Sequence, residues 1–182
     1  MVYSRRMTTL GHLIASPLGD IVMRIEDDVL TGLFFVGQKY FPAMNVATGE
    51  RPASPVARNT QEQIAEYFAG ARTTFSVPLH LRGSDFQRRV WHELLTIPFS
   101  TLVSYGELTL RIGLPASAAR AVGGAVGRNP VSIIVPCHRI VGATGSLTGY
   151  AGGIDRKRAL LALEGADRAG GRHDRAQQTL AF

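Results

Sequence analysis

The chain has 182 residues, 45% of them hydrophobic, a formal net charge of +6 and one cysteine. That length suits one large or two small domains with a buried core. No apolar run approaches the ~18 residues of a membrane helix, no apolar h-region follows Arg5 and Arg6, and a lone cysteine rules out an internal disulfide.

Residues 1–7 carry no pattern and are expected to fray. Residues 10–15, 21–25 and 29–36 read as strands, the last rich in β-branched and aromatic side chains. Ser16-Pro17-Leu18-Gly19-Asp20 and Glu26-Asp27-Asp28 between them carry turn chemistry. The result is an antiparallel meander without chemistry of its own. Residues 37–53 contain Pro42, Gly49 and Pro52, lack periodicity and read as a long surface loop. Ser54 before Pro55 predicts a helix start with a capping hydroxyl. Val56, Ile64, Tyr67 and Phe68 supply its apolar face, and Gly70 ends it. Residues 73–81 read as a further strand, cut by Pro78. Arg82-Gly83 is the expected domain boundary. It divides a first domain, 1–83, from a second, 84–165. A polar Gly/Arg-rich tail, 166–182, follows.

Ser84-Asp85-Phe86-Gln87 is a capping box ahead of an apolar periodic run. Phe86, Val90, Leu94 and the Trp91/Leu95 pair are the expected buried stripe. Trp91 at this spacing is a core residue first and a base-stacking platform only second. Ile97-Pro98 ends that helix. Ser104-Tyr105-Gly106-Glu107 is a second capping box, opening a helix to about Ile112. After the Gly113-Leu114 turn, Pro115 starts another, to about Val126. Two short helices around a glycine turn are a helix-turn-helix candidate. The second is nearly all Ala and Gly, with Arg120 as its one long cation. Such a slim helix suits tight helix–helix packing; it equally suits close approach to the narrow minor groove of DNA. The charge balance leans the same way. Residues 84–165 hold nine Arg/Lys against five Asp/Glu, and the first 83 hold eight against seven.

Residues 133–142 then read Ile-Ile-Val-Pro-Cys-His-Arg-Ile-Val-Gly. The apolar lead-in predicts a short buried strand that Pro136 stops, because proline cannot donate to a ladder. Cys137 is the only thiol. A lone buried cysteine is ordinarily inert. His138 and Arg139 beside it bring a base and a positive charge, the surroundings that favour a reactive thiolate. Adjacent residues in extended chain face opposite ways, so Cys137 and His138 need a sharp turn or a bridging water to communicate. A carboxylate must then fix the imidazole, and Glu164, at the end of a helix over 155–164 with Leu160, Leu161 and Leu163 inward, is the candidate. Asn129 before Pro130 is common turn chemistry. Residues 142–153 form a Gly-rich loop without a phosphate-cradling context, expected to be a flexible wall beside Cys137. The five histidines show no zinc-ligand spacing.

Pro136-Cys137-His138-Arg139, Val103-Ser104-Tyr105-Gly106-Glu107-Leu108, Ala119-Arg120-Ala121-Val122-Gly123, Gly127-Arg128-Asn129-Pro130 and Thr148-Gly149-Tyr150-Ala151-Gly152-Gly153 together resemble the bacterial O6-alkylguanine-DNA alkyltransferases. The resemblance is specific from about Ser84 to Glu164 and loose before it. It implies an α+β fold: an N-terminal ribonuclease H-like α+β domain followed by a C-terminal winged helix-turn-helix domain. It implies irreversible transfer of an alkyl group from O6 of guanine, and from O4 of thymine, to Cys137, once per molecule, with the base flipped out of the duplex. No cofactor and no metal are implied. The partner is double-stranded DNA carrying O6-alkylguanine. The protein is expected to be a cytoplasmic monomer, with cooperative assembly on DNA left open.

The same resemblance assigns roles. His138 takes the thiol proton through a water and Glu164 orients it. Asn129 bridges the recognition helix to the active-site segment. Tyr105 serves both the base and the DNA. Ile140, Tyr150, Ala151 and Lys157 belong to the substrate pocket. Arg120 fills the gap left by the base, and Ala119, Ala121, Gly123 and Arg128 join it in the DNA contact. Ser132 and Ala151 stand where the family often has proline and serine, and the vertebrate zinc ligands have no counterpart. Three rival readings are a lesion-binding module, which would lack the cysteine, a helix-turn-helix regulator, which would carry polar base-reading side chains, and a Cys–His hydrolase, which would turn over.

Overall fold

The computed structural model describes residues 10–47 and 54–166. The expected frayed start and the tail beyond residue 166 lie outside these. Strands β1 (Leu10–Ile14), β2 (Ile21–Glu26) and β3 (Val29–Phe35) form the expected antiparallel meander. The β2–β3 turn puts both Asp27 and Asp28 at positive φ, 49° and 56°. That geometry matches the right-handed twist of the flanking strands, and Asp is among the residues that tolerate it.

The long loop contains an unforeseen strand, β4 (Asn45–Ala47), which pairs parallel with β1 and gives the order β3-β2-β1-β4. Three residues are too few to show a period. Helix α1 (Pro55–Phe68) has proline at its start as expected, but the Ser54 hydroxyl makes no capping bond and donates to Asp28 instead, 3.3 Å. Gly70, at φ +73°, closes the helix in the left-handed conformation. α1 covers β2 and β3 with Ala57, Ile64 and Tyr67 in the core.

The strand expected over 73–81 is reduced to a single bridge between Leu30 and Leu79. The Leu30 N–H donates to Pro78 O (2.8 Å) and the His80 N–H to Leu30 O (3.0 Å). Pro78 has no N–H with which to extend the ladder.

Helix α2 (Asp85–Leu95) begins with both bonds of its capping box. Val90, Trp91 and Leu94 are buried, whereas Phe86 and Leu95 are 37% and 42% exposed. The stripe is narrower than expected because the helix packs mainly along one line, against α4. Trp91 is a core residue: its indole N–H donates to Ala125 O, 2.8 Å. Gly83 stands just before the helix, where a Cβ would come within 2.6 Å of the Trp91 ring.

Strand β5 (Val103–Ser104) leads into α3 (Tyr105–Arg111), again with a complete capping box. After Gly113 the expected single helix splits into a 3₁₀ turn, Ala116–Ala118, and α4 (Ala119–Gly127). Pro115 fixes the approach and the first turn tightens, as helix starts commonly do. α3 and α4 pack together as the helix-turn-helix, with α2 behind. Strand β6 (Ile140–Val141) pairs parallel with β5, and α5 (Ile154–Leu163) closes the fold.

The strand expected at Ile133 does not form. Residues 132–134 make a turn with Ile133 at φ +73°, and Cys137–Arg139 form a 3₁₀ turn. The apolar run is buried as predicted, but in a fold-back held by its own backbone bonds. The two halves share one hydrophobic core. A bridge from Leu33 to Val131 stitches them: the Leu33 N–H donates to Pro130 O (2.9 Å) and the Ser132 N–H to Leu33 O (2.8 Å). Ala166, placed in the tail from sequence, is buried, its N–H bonded to Leu161 O (2.9 Å).

Candidate active site

The turn that carries Cys137 is assembled around Asn129. From the end of α4 its Nδ2 donates to Val135 O (2.8 Å), Val131 O (3.3 Å) and Cys137 Sγ (3.0 Å). Its Oδ1 accepts from the Val131 N–H, 3.0 Å. One buried amide thus satisfies the backbone of a fold-back that no sheet could serve. It also aims a donor at the sulfur. The 3₁₀ turn then places Cys137, His138 and Arg139 in succession, all buried.

Burial raises the Cys137 thiol above its ordinary pKa, opposed by the Asn129 bond and the charge of Lys157. The resting group is therefore the thiol, and it needs a base. Burial lowers the pKa of His138, with Glu164 opposing, so the imidazole is neutral at pH 7. His138 Nε2 lies 2.7 Å from Glu164 Oε1. Burial pushes the Glu164 pKa up, but bonds from His138 and Arg139 outweigh it and lower it to about 2. A carboxylate only accepts. The imidazole proton therefore sits on Nε2, and Nδ1 presents a lone pair. Nδ1 is buried without a protein partner.

Glu164 caps α5 and gathers more than the histidine. Arg139 Nε reaches Oε2 at 2.9 Å and Nη2 reaches Oε1 at 3.0 Å. The Tyr67 hydroxyl from α1 donates to Oε1 (2.8 Å), and the Ser100 N–H donates to Oε2 (3.1 Å). Sequence reasoning makes Arg139 a positive neighbour of the thiol. Its guanidinium is instead spent on Glu164, on Ile97 O (2.6 Å) and over the Phe99 ring. Tyr67 and Ser100 escape a reading of the sequence; both are distant along the chain, and only tertiary packing brings them in.

A cleft of about 620 Å³ is walled in part by Tyr105 and Tyr150, both close enough to Cys137 to interact with it electrostatically, but Asn129, Cys137 and His138 are not themselves in its lining. Of the expected residues, Tyr105, Ala119, Arg120, Gly123, Tyr150 and Ala151 line it. The Tyr105 hydroxyl donates to Gly149 O at 3.0 Å, tying α3 to the Gly-rich loop. Burial raises the pKa of that phenol, with Cys137 adding to the shift. Tyr150 buries a hydroxyl that makes no hydrogen bond of normal geometry. Burial also raises its pKa, with Ser132 opposing. Ile140 and Lys157 are not in the wall. Lys157 is buried behind it, bonding Ile140 O and, at 2.8 Å, Thr148 O, so it pins the loop from the rear. Burial lowers its pKa to about 8. Ala121 is exposed on the outer face of α4. Arg128 is exposed too, over the Tyr40 ring. Among the described residues, no group of three or more His, Cys, Asp or Glu is gathered as metal ligands would be.

Residues 10–81 match the model of the 6-O-methylguanine DNA methyltransferase, ribonuclease-like domain, and residues 85–166 that of the DNA binding domain of the same enzyme. The chain belongs to the 6-O-methylguanine DNA methyltransferase family. It is 51% identical over 151 residues to the methylated-DNA–protein-cysteine methyltransferase of Mycolicibacterium paratuberculosis, covering 83% of this chain and 89% of that one. The constitutive enzyme of that name from Bacillus subtilis is 40% identical over 147 residues, 80% of this chain and 88% of that one. The crystal structure of Mycobacterium tuberculosis OGT in complex with DNA superposes with a TM-score of 0.77 at 48% identity, over 87% of this chain and 94% of that one. Both halves of the methyltransferase family are therefore present.

Proposed function

We propose that the chain repairs DNA by moving an alkyl group from O6 of guanine, or O4 of thymine, onto its own Cys137. The observation that carries this reading is the line of groups from Asn129 through Cys137 and His138 to Glu164 beside an open cleft. The duplex lies along α4, whose Ala119, Ala121 and Gly123 let the backbone approach the minor groove. Arg120 enters the stack as the damaged nucleotide swings out, at a cost of a few kcal/mol for unstacking. Arg128 holds phosphate.

In the cleft, the Cys137 proton passes through a water to His138 Nδ1. The Nε2–H bond to ionised Glu164 stabilises the imidazolium that forms. The thiolate attacks the alkyl carbon, an S–C bond forms as the C–O6 bond breaks, and the electron pair stays with the guanine. The Tyr105 hydroxyl donates toward the ring nitrogen where that charge develops. Tyr150 and the Ala151 main chain hold the base, while Lys157 fixes the loop and Ile140 from behind. The thioether product is stable, so each molecule acts once, as a monomer, on double-stranded DNA carrying the alkylated base. A lone free thiol fits a reducing compartment, which supports a cytoplasmic location.

Intact-protein mass after incubation with O6-methylguanine DNA tests this. The native chain gains about 14 Da once, since a methyl replaces one thiol proton, and Cys137→Ala gains nothing. DNA binding without a mass change would leave a lesion-binding module. Repeated turnover would indicate a hydrolase.

A further inference from the structure

The cleft has a rim on the first domain that the chemistry above does not use. We propose that the turn at residues 38–41 is part of the DNA interface, where Lys39 and Arg128 form a two-cation clasp for a backbone phosphate across the Tyr40 ring. The proposal rests on the reading of DNA as substrate.

Lys39 and Tyr40 line the same cleft as Arg120 and Tyr105. Tyr40 is 48% exposed. The Lys39 ammonium lies 5.1 Å from its ring centroid and the Arg128 guanidinium 5.0 Å. Each cation is attracted to the ring. Two like charges drawn to one ring also repel, and an anion bound close to both lowers that cost. Neither forms an ion pair among the described residues, and nor does Arg120. Elsewhere on the surface Arg72, Arg82, Arg88 and Arg158 are each paired, with Glu66, Glu26, Asp85 and Asp155. Lys39 and Arg120 line the cleft and Arg128 lies over its Tyr40 ring. Arg89 and Arg111, exposed on another face around Gly113, likewise form no ion pair among the described residues.

The turn is also held in place. The Lys39 N–H donates to Ala151 O at 2.9 Å, and the Phe41 N–H to Gln38 O at 3.3 Å. Buried Gln38 accepts from the Phe35 N–H at 2.8 Å and from the Ser132 hydroxyl at 3.2 Å. Tyr40 is held at φ +62°, a conformation a bulky residue adopts only when its surroundings impose it. The first domain thereby presents its cation at a fixed distance from the substrate loop.

The test is the salt dependence of binding to a short undamaged duplex, read by fluorescence anisotropy with the full chain, for native, Lys39→Gln and Lys39→Arg. Removing one cation–phosphate pairing lowers the slope of log K against log salt by ~0.9, which is roughly eightfold weaker binding at 0.1 M if the two lines meet at 1 M. Lys39→Gln is expected to show this reduction and Lys39→Arg to restore the native line. An unchanged slope in Lys39→Gln overturns the clasp. An equal reduction in both variants also overturns it, because holding a phosphate needs only the charge. The slope reads DNA affinity and not alkyl transfer. Normal mass gain with an unmoved slope therefore sinks the clasp alone, while DNA binding without mass gain sinks the chemistry and leaves the clasp open to this same test.

Discussion

At the scale of single residues, Glu164 Oε1 is shared. His138 Nε2 and the Tyr67 hydroxyl both sit on it, at 2.7 and 2.8 Å. Tyr67 never meets the thiol, so it is a positioning residue that acts through the carboxylate. Tyr67→Phe keeps the ring in the core and removes one donor. The oxygen then carries more negative charge toward the imidazole, which raises the pKa of His138. A base that must be neutral works only above its pKa. The low-pH limb of the single-turnover alkylation rate should therefore move to higher pH, by up to about one unit if the missing bond is worth ~1.5 kcal/mol. A stopped-flow rate profile from pH 5 to 8 checks this. A slower but unshifted profile would reduce Tyr67 to packing.

At the scale of elements, the second half was legible because its signals are local. Both capping boxes form bond for bond, and the slim run 116–125 becomes the second element of a helix-turn-helix. What failed was long-range. The run at Ile133 looks like a strand because burial and β-branching are all a sequence displays. Its fold-back depends on Asn129, whose amide is worth more as a buried scaffold than as the turn residue its Asn-Pro context suggests. β4 exists only because β1 offers an edge. The small residues of α4 left two explanations, packing and DNA approach, and burial separates them. Ala125 is buried against Trp91, while Ala121 is exposed. Ala121→Leu should therefore leave the melting temperature within a few degrees of native, since leucine is a good helix former. It should weaken duplex binding by roughly tenfold, ~1.4 kcal/mol, if α4 lies in the minor groove. Unchanged affinity would remove α4 from the DNA surface.

At the scale of the whole molecule, the site is a joint between domains, and this was the part least visible in sequence. The resemblance named Glu164 as the partner of His138. It could not show that the same carboxylate draws in Tyr67 from α1 and the Ser100 amide ahead of β5. Nor could it show that Arg156 at the start of α5 reaches across to Leu18 O, at 2.8 Å, and stacks on Phe35. One ionised group therefore helps hold two domains together, and that makes acid a probe of the joint. The folded pKa of Glu164 is depressed to about 2 from an ordinary 4.5. A depressed carboxylate contributes stability that is fully present above the unfolded value and is lost as pH falls through the folded one. The contribution should be constant from neutral pH down to about 4.5 and disappear between there and about 2. Urea midpoints of native and Glu164→Gln across pH 2 to 7 measure it. Glutamine leaves Arg139 buried without its counter-charge, so the variant should be less stable at pH 7 by about 3 kcal/mol or more. The two curves should converge as the native carboxylate takes up its proton. Curves that stay parallel down to pH 2 would mean that Glu164 orients His138 without carrying the link between the domains.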